Sequence, residues 1–277
     1  MNILKEKMML NNGVEIPSIA LGTWQIDNET VVRCVKDAYD LGYRHIDSAS
    51  DYQNEEGVGR AIKELNISRD SLFVTTKVPA SIKNYKEAVE IIKESLRKLD
   101  LGYIDLLLIH APAPWPEMGP NRKPYFKENL EVWKAMEEFY KKDLVKAIGV
   151  SNFNVADVKN ILDNCEIKPM VNQIPAFIGY IEKDTIEFCK ENDILVEAYS
   201  PVATGRLLKS EYLKGIADKY GVTVPQLCIK FDYQLGLLPL PKSTHKEYMK
   251  ENSELDFVIS DEDMTLLSKL TQEELLK

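Results

Sequence analysis

Cysteine is scarce in this chain. Four residues, Cys34, Cys165, Cys189 and Cys228, are spread over 277 positions without a single CxxC pair. That excludes a disulfide framework and a cysteine-based metal site, and leaves free thiols in a reducing compartment as the expectation. Basic residues are also in deficit. Lys and Arg number 35 against 44 Asp and Glu, a net charge of −9, which argues against a general nucleic-acid surface. Long apolar runs are missing, so no membrane span is expected. The opening residues MNILKEKMML carry charge but no apolar signal core, and a cytoplasmic location is expected. A GxGxxG motif is missing too. The nearest approach, GVGRAI at 57–62, lacks the third glycine and lies within a helical pattern, so a Rossmann-type dinucleotide site is excluded.

What is present is a repeated alternation. Short Val/Ile/Leu-rich runs (IALG, YRHID, LFVTT, YIDLLLI, VKAIGV, PMVNQ, ILVEAY, LLPLP) are separated by amphipathic stretches. Val31, Val35 and Ala38 recur at helical spacing and stop before Gly42. Val58–Ile62–Leu65, Ala88–Ile92–Leu99 and Val132–Met136–Phe139 do the same, followed by helices over 155–162, 185–190 and 225–234. Eight such units predict buried parallel strands closed into a (β/α)8 TIM barrel, an α/β fold that needs about 250 residues. Asn12-Gly13 between two apolar arms predicts an N-terminal β-hairpin that plugs one barrel end. The stretch from Ser260 onward predicts one extra C-terminal helix. No linker is visible, so residues 1–277 are expected to form one domain.

Four polar residues stand out. Asp47, Lys77 and His110 close the runs HID, LFVTTK and IDLLLIH, and Tyr52 follows Asp47 by five positions. A parallel barrel gathers its strand ends onto one face, where its chemistry resides. Each residue alone also fits a bland role: a turn-capping carboxylate, a packed phenol, a solvated ammonium, a structural imidazole. Together they suit protonation of an oxygen that gains negative charge. Tyr52 would be the acid, its pKa lowered by Lys77, with Asp47 holding the ammonium and His110 orienting a substrate oxygen. LPLPKST places Lys242, Ser243 and His245 at a loop-to-helix entry, a position where barrels bind phosphate; Lys242 is equally read as an exposed lysine after proline. The loop APAPWPEMGPNRKP, after His110, is expected to wall the active face.

The motifs GYRHIDSASDYQNE, LFVTTK, DLLLIH, GVSNF, VNQ, AYSP and LPLPKS, in this order over nearly the whole chain, resemble the aldo-keto reductase superfamily, and in particular its bacterial, diketogluconate reductase-like members. The resemblance implies a nicotinamide cofactor across the barrel mouth, NADPH with NADH as the alternative, and a catalytic tetrad of Asp47, Tyr52, Lys77 and His110. It implies further cofactor contacts from Gly22 and Thr23, from Ser151, Asn152 and Gln173 to the carboxamide, and from Tyr199, with Ser200 beside it, to the ring. The loop VATGRLL, through Arg206 and Leu207, would cover the pyrophosphate, Lys242 and Ser243 would meet the 2′-phosphate, and Glu251 and Asn252 the adenine, with His245 and Tyr248 as further cofactor contacts. Trp24 would line the substrate pocket.

Three departures from the resemblance bear on specificity. Ala111 stands where many relatives have tryptophan, which widens the pocket unless Trp115 turns in. Pro175 replaces a frequent glutamate. Tyr248 occupies a position where NADPH-preferring relatives often carry arginine, and tyrosine cannot pair with phosphate charge. The reaction implied is reduction of small aldehydes or ketones to alcohols by a monomer. A cofactor-sensing regulatory subunit and a Schiff-base isomerase or lyase using Lys77 are the alternatives.

Overall fold

A computed structural model describes residues 2–275. The chain opens with a hairpin of β1 (Lys7–Met9) and β2 (Glu15–Pro17), turning at Gly13 with φ +84°. Asn11 donates to the carbonyls of Pro169 and Asp193, at 2.9 and 3.1 Å, and Asn12 donates to that of Lys146 at 3.0 Å. Those carbonyls lie at the upstream ends of later strands. The hairpin therefore closes the end of the barrel remote from the strand exits, with Leu10 and Ile16 buried beneath it.

The barrel begins with β3 (Leu21–Gly22), α1 (Thr30–Leu41), β4 (His45–Asp47), α2 (Glu55–Leu65), β5 (Phe73–Val78) and α3 (Tyr85–Leu99). It continues through β6 (Ile104–Ile109), α4 (Phe126–Lys141), β7 (Val145–Ser151), α5 (Val155–Asn164), β8 (Val171–Pro175) and α6 (Lys183–Glu191). Then come β9 (Leu195–Tyr199), α7 (Glu211–Tyr220), α8 (Val224–Gln234), β10 (Leu238–Leu240) and α9 (Lys246–Ser253). The eight strands β3 to β10 pair in parallel, each with its neighbours in the chain. Ala20 and Gly22 donate to the carbonyls of Pro239 and Pro241, at 3.3 and 2.9 Å, which joins the first strand to the last. Register aligns the strand exits: Gly22 lies opposite Asp47, Lys77 opposite Leu108, and Ser151 opposite Gln173.

The helices follow from local chemistry. Val31, Cys34, Val35 and Ala38 form the buried face of α1, and Gly42 ends it at φ +108°. Asn154 with Asp157, and Thr223 with Gln226, form reciprocal N-terminal caps on α5 and α8. The glycines of GVGRAI are packing devices. A Cβ on Gly57 would meet the carbonyl oxygen of Asn28 at 2.2 Å, and one on Gly59 that of Leu99 at 2.0 Å. Both permit α2 to nest against its neighbours.

Two expectations need revision. The stretch after Ser260 is two short helices, α10 (Asp261–Leu267) and α11 (Gln272–Leu275), where one was predicted. Gly179 sits against Thr271, Gln272 and Leu275 across this break, and Thr271 caps the second helix by donating its backbone N–H to Glu274. The helix α7, capped by Ser210 and stopped by Gly221, was not anticipated. It packs with α8, α10 and α11 around Phe177, Leu213, Phe231 and Leu267, a second core cluster outside the barrel. No helix of the described residues is long and apolar enough to cross a membrane.

Within that second core, Asp232 on α8 is fully buried, and neither carboxyl oxygen has a partner among the described residues. Burial drives its pKa well above the usual range. Below the unfolded carboxyl's pKa of about 3.9, both states hold the proton. Above it the unfolded chain ionises first, so this group costs stability increasingly as pH rises. Asp232→Asn is therefore expected to melt a few degrees above the parent at pH 7, at roughly 2–4 °C per kcal/mol, and level with it near pH 4. Melting curves at the two pH values check this, and a gap independent of pH would contradict the assignment.

Candidate active site

Strand exits deliver the polar residues to one place. Asp47 ends β4, Lys77 is the penultimate residue of β5, and His110 follows β6, its N–H donating to the Val78 carbonyl at 3.0 Å. Tyr52 closes a 3-10 turn over 50–52. Lys77 is fully buried, and its Nζ donates to Asp47 Oδ1 at 2.8 Å, Asp47 Oδ2 at 2.9 Å and the Ser48 carbonyl at 2.7 Å. The Tyr52 hydroxyl lies 3.5 Å away, a long contact, with Nζ 4.9 Å from the ring centre. Burial works against the charge on Lys77, but Asp47 and Tyr52 outweigh it and the ammonium's pKa is raised. It stays charged at neutral pH.

The Tyr52 phenol departs from expectation. Its pKa is raised, because burial outweighs the pull of Lys77 and the nearby Asp47 and Asp51 charges oppose ionisation as well. A neighbouring ammonium was expected to lower it. Lys77 does act in that direction, but depth in the barrel decides the sign.

Asp47 Oδ1 also accepts from Gln173 Nε2 at 2.9 Å, and the same amide nitrogen donates to Glu197 Oε2 at 2.7 Å. Glu197 is buried on β9, and burial together with Asp47 pushes its pKa up to about 8. Flanked by two carboxyl groups, the Gln173 amide has both N–H bonds committed, which leaves its oxygen as the group to meet a ligand. Asn152 adopts φ +63°, donates to the His110 carbonyl at 2.9 Å, and accepts from the Tyr199 hydroxyl at 2.8 Å. Ser151 donates to the Gln173 carbonyl at 2.8 Å. Ring, amide and hydroxyl groups thus hold one another in place.

These residues border a cavity of about 740 Å³. Of the residues singled out in sequence, Gly22, Trp24, Asp47, Tyr52, His110, Trp115, Ser151, Asn152, Gln173, Tyr199, Ser200 and Lys242 line it. Lys77 lies beneath them. Others do not reach the cavity wall. Ala111 is fully buried, and its carbonyl accepts from Lys83 at 3.0 Å. The indole of Trp115 stands edge-on to His110 at 5.0 Å and forms the wall there. Thr23 is buried and donates to the Asp47 carbonyl at 2.8 Å. Leu207 belongs to the second core, and Arg206 bonds the Ala203 carbonyl and Gln272. Ser243 accepts from the His245 N–H at 3.0 Å, and Glu251 from the Thr223 hydroxyl at 2.8 Å. Ser243 and His245 lead into α9, which carries exposed Tyr248, then Glu251 and buried Asn252, beyond Lys242.

Sequence reasoning gave no role to Gln25 or Asp51, and in the loop VATGRLL it picked out Arg206 and Leu207, whereas Val202, Thr204, Gly205 and Leu208 are the residues of that loop that border the cavity. For Asp51 a signal existed: an acidic residue directly before the candidate acid.

A spectroscopic titration tests the balance at Tyr52. The tyrosinate absorbance that vanishes in Tyr52→Phe should titrate above the ordinary phenol value of about 10. Lys77→Met should move it higher still, since the ammonium that opposes the effect of burial is lost. A titration below 10 would show that the ammonium prevails over burial.

Comparisons with known proteins converge. A profile described as the aldo/keto reductase family matches residues 18–272. The glyoxal reductase of Bacillus subtilis (strain 168) is 39% identical over 273 residues, covering 98% of this chain and 95% of that protein. Methylglyoxal reductase DkgA of Escherichia coli (strain K12) is 34% identical over 266 residues, covering 95% and 92%. Among solved structures, an aldo-keto reductase from a Medee basin deep-sea metagenome library superposes with a TM-score of 0.88 at 38% identity, covering 95% of this chain and 94% of that one. A Bombyx mori aldo-keto reductase in complex with NADP gives 0.86 at 34% identity, covering 98% and 94%.

Proposed function

The chain belongs to the aldo/keto reductase family, and from that premise we propose how its own residues carry the reaction. It is a nicotinamide-dependent oxidoreductase that reduces carbonyl compounds to alcohols. The observation that supports the residue roles best is the three-acceptor seat of Lys77 beside the Tyr52 hydroxyl.

The cavity fits the cofactor's reactive end. A carboxamide brings an NH2 donor, and Gln173 has an oxygen left to accept it. Ser151 and Asn152 stand beside Gln173, and the Tyr199 ring offers a flat face on the cavity wall. Lys242 supplies positive charge for a phosphate, and Arg33 holds the adjoining loop by donating to the Thr244 carbonyl at 3.1 Å. NADPH is therefore the preferred form in this reading. Contacts further out are assigned to Ser243, His245, Tyr248, Glu251 and Asn252 around α9. Arg206 and Leu207 lie in the segment assigned to the pyrophosphate side, and Thr23 acts there by fixing the loop. When bound, the reduced nicotinamide supplies a hydride to the carbonyl carbon.

The protein's part is the proton. Tyr52 gives its hydroxyl proton to the carbonyl oxygen, and Lys77 stabilises the phenolate left behind. A raised phenol pKa is compatible with this role. The developing alkoxide is a much stronger base than phenolate, and burial keeps Tyr52 in the neutral, donating form until reaction. Asp47 holds Lys77 in its charged state. His110 stands edge-on to Tyr52 at 5.6 Å between ring centres and positions the substrate oxygen. Its pKa is lowered, chiefly by burial. Neutral His110 accepts at Nε2 from a substrate hydroxyl; protonated His110 donates there to the carbonyl oxygen. Trp24 and Trp115 flank the entrance as apolar walls, and Ala111 shapes the pocket from behind.

We propose small dicarbonyls of the glyoxal and methylglyoxal kind as the first candidate substrates, a reading supported by the names of two similar reductases. Residues 1–277 are proposed to work as one domain and as a monomer.

Tyr52→Phe is expected to lower kcat by roughly 10²–10⁴ while NADPH quenching of tryptophan fluorescence persists. Loss of binding in a folded variant would make Tyr52 a cofactor residue and not the acid. Lys242→Ala should raise KM for NADPH roughly ten- to a hundredfold, the loss of one charge-assisted contact of about 1.5–3 kcal/mol, and leave KM for NADH nearly unchanged. Equal effects on both cofactors would remove Lys242 from the 2′-phosphate.

A further inference from the structure

Asp51 faces the cavity with a side chain about one-third exposed, and it is pinned there. Its Oδ2 accepts from His110 Nδ1 at 3.2 Å and from Trp115 Nε1 at 3.5 Å. Asp51 comes from the turn after β4, His110 and Trp115 from the connection after β6, and the carboxylate ties the two segments into one wall. The hydrogen bond from His110 holds the Asp51 pKa below the ordinary carboxylate value despite partial burial. The group is therefore anionic throughout the neutral range.

Among the described residues, three charged side chains other than His110 border this cavity: Asp47, Asp51 and Lys242. Asp47 is matched by Lys77 in a bidentate contact. Lys242 follows β10 and is assigned above to the cofactor. Asp51 has only neutral donors as partners, since burial favours uncharged His110. The cation that acts on it from a distance, Lys77, is already bonded to Asp47 and the Ser48 carbonyl, so no cation pairs with Asp51 directly among the described residues, and Asp51 is adjacent to the proton donor in the chain. A second carboxylate brought into the same partly desolvated space meets repulsion that water screens poorly.

We propose that Asp51 is a specificity-determining residue that selects uncharged carbonyl substrates and rejects those bearing a carboxylate. The inference rests on the reductase reading above and narrows its substrate class. It favours neutral dicarbonyls and simple aldehydes over keto acids and carboxylated sugar derivatives. Trp115 contributes by holding the carboxylate toward the cavity and by closing off the room in which a substrate anion would otherwise turn away.

The test uses two aldehydes of one shape, 4-carbamoylbenzaldehyde and 4-carboxybenzaldehyde, reduced with NADPH by the full chain. The parent should prefer the neutral amide. Asp51→Asn keeps the size and an oxygen acceptor for His110 and Trp115, and should shrink the ratio of the two kcat/KM values on the order of tenfold or more. Asp51→Glu should retain most of the discrimination. A ratio unchanged by Asp51→Asn overturns the proposal, as does a parent that prefers the acid. Failure of the parent to reduce either aldehyde, with NADPH bound, would count against the reductase reading itself. Calorimetric binding of the same two compounds to parent and Asp51→Asn would then decide the Asp51 proposal, an unchanged affinity ratio overturning it.

Discussion

Everything at this site depends on one buried ion pair. Lys77 carries a charge with no exposed surface, a situation tolerated only where the charge is fully bonded. Here both oxygens of Asp47 and the Ser48 carbonyl take the three ammonium protons. The pair is possible because β4 and β5 are adjacent and parallel, so their exits bring a carboxylate and an ammonium side by side. Remove either partner and the other is left as an uncompensated charge in the core. Tyr52 lies against the same pair and Gln173 is oriented by it, and Asp47 adds to burial in raising the pKa of Glu197.

Around that pair the acid groups are graded by depth. Glu197, deepest on the barrel wall, holds its proton to about pH 8 and accepts from Gln173. Asp47 is ion-paired. Asp51, at the rim, is anionic and bonded to neutral donors. One type of functional group thus performs three tasks, separated by burial and partners: orienting an amide, fixing a cation, and charging a pocket wall. The Gln173 amide reads this gradient, because both N–H bonds face carboxyl groups and only its oxygen remains for a ligand.

The scaffold keeps this arrangement away from its own weak points. The hairpin closes the opposite end of the barrel through Asn11 and Asn12. The helices α7, α8, α10 and α11 form a separate apolar cluster under the segment 203–209. That segment contributes Thr204, Gly205 and Leu208 to the cavity wall while Leu207 anchors it in the second core.

Much of this was determined by sequence alone. Periodicity located the strands, because parallel barrel strands are apolar on both faces, and it located the helices that present one apolar stripe. Polar residues at the exits of apolar runs marked Asp47, Lys77 and His110, since any closed parallel barrel must bring strand exits together. The tertiary structure decided what depends on distance and depth. Local spacing carries no information about solvent exclusion, so the raised Tyr52 pKa was not legible beside a lysine. Ala111 was legible as a residue next to His110, yet it is fully buried behind the cavity, and Trp115 stands on the cavity wall instead. The segment that follows the break between α10 and α11 packs closely on Gly179, a residue about ninety positions earlier in the chain, a contact that no local pattern announces. Asp51 was visible as a neighbour of Tyr52, but only the folded chain sets its carboxylate against His110 and Trp115. Strand pattern is a local property of covalent order. The charge a substrate meets is set by groups from separate strands, and only packing brings those together.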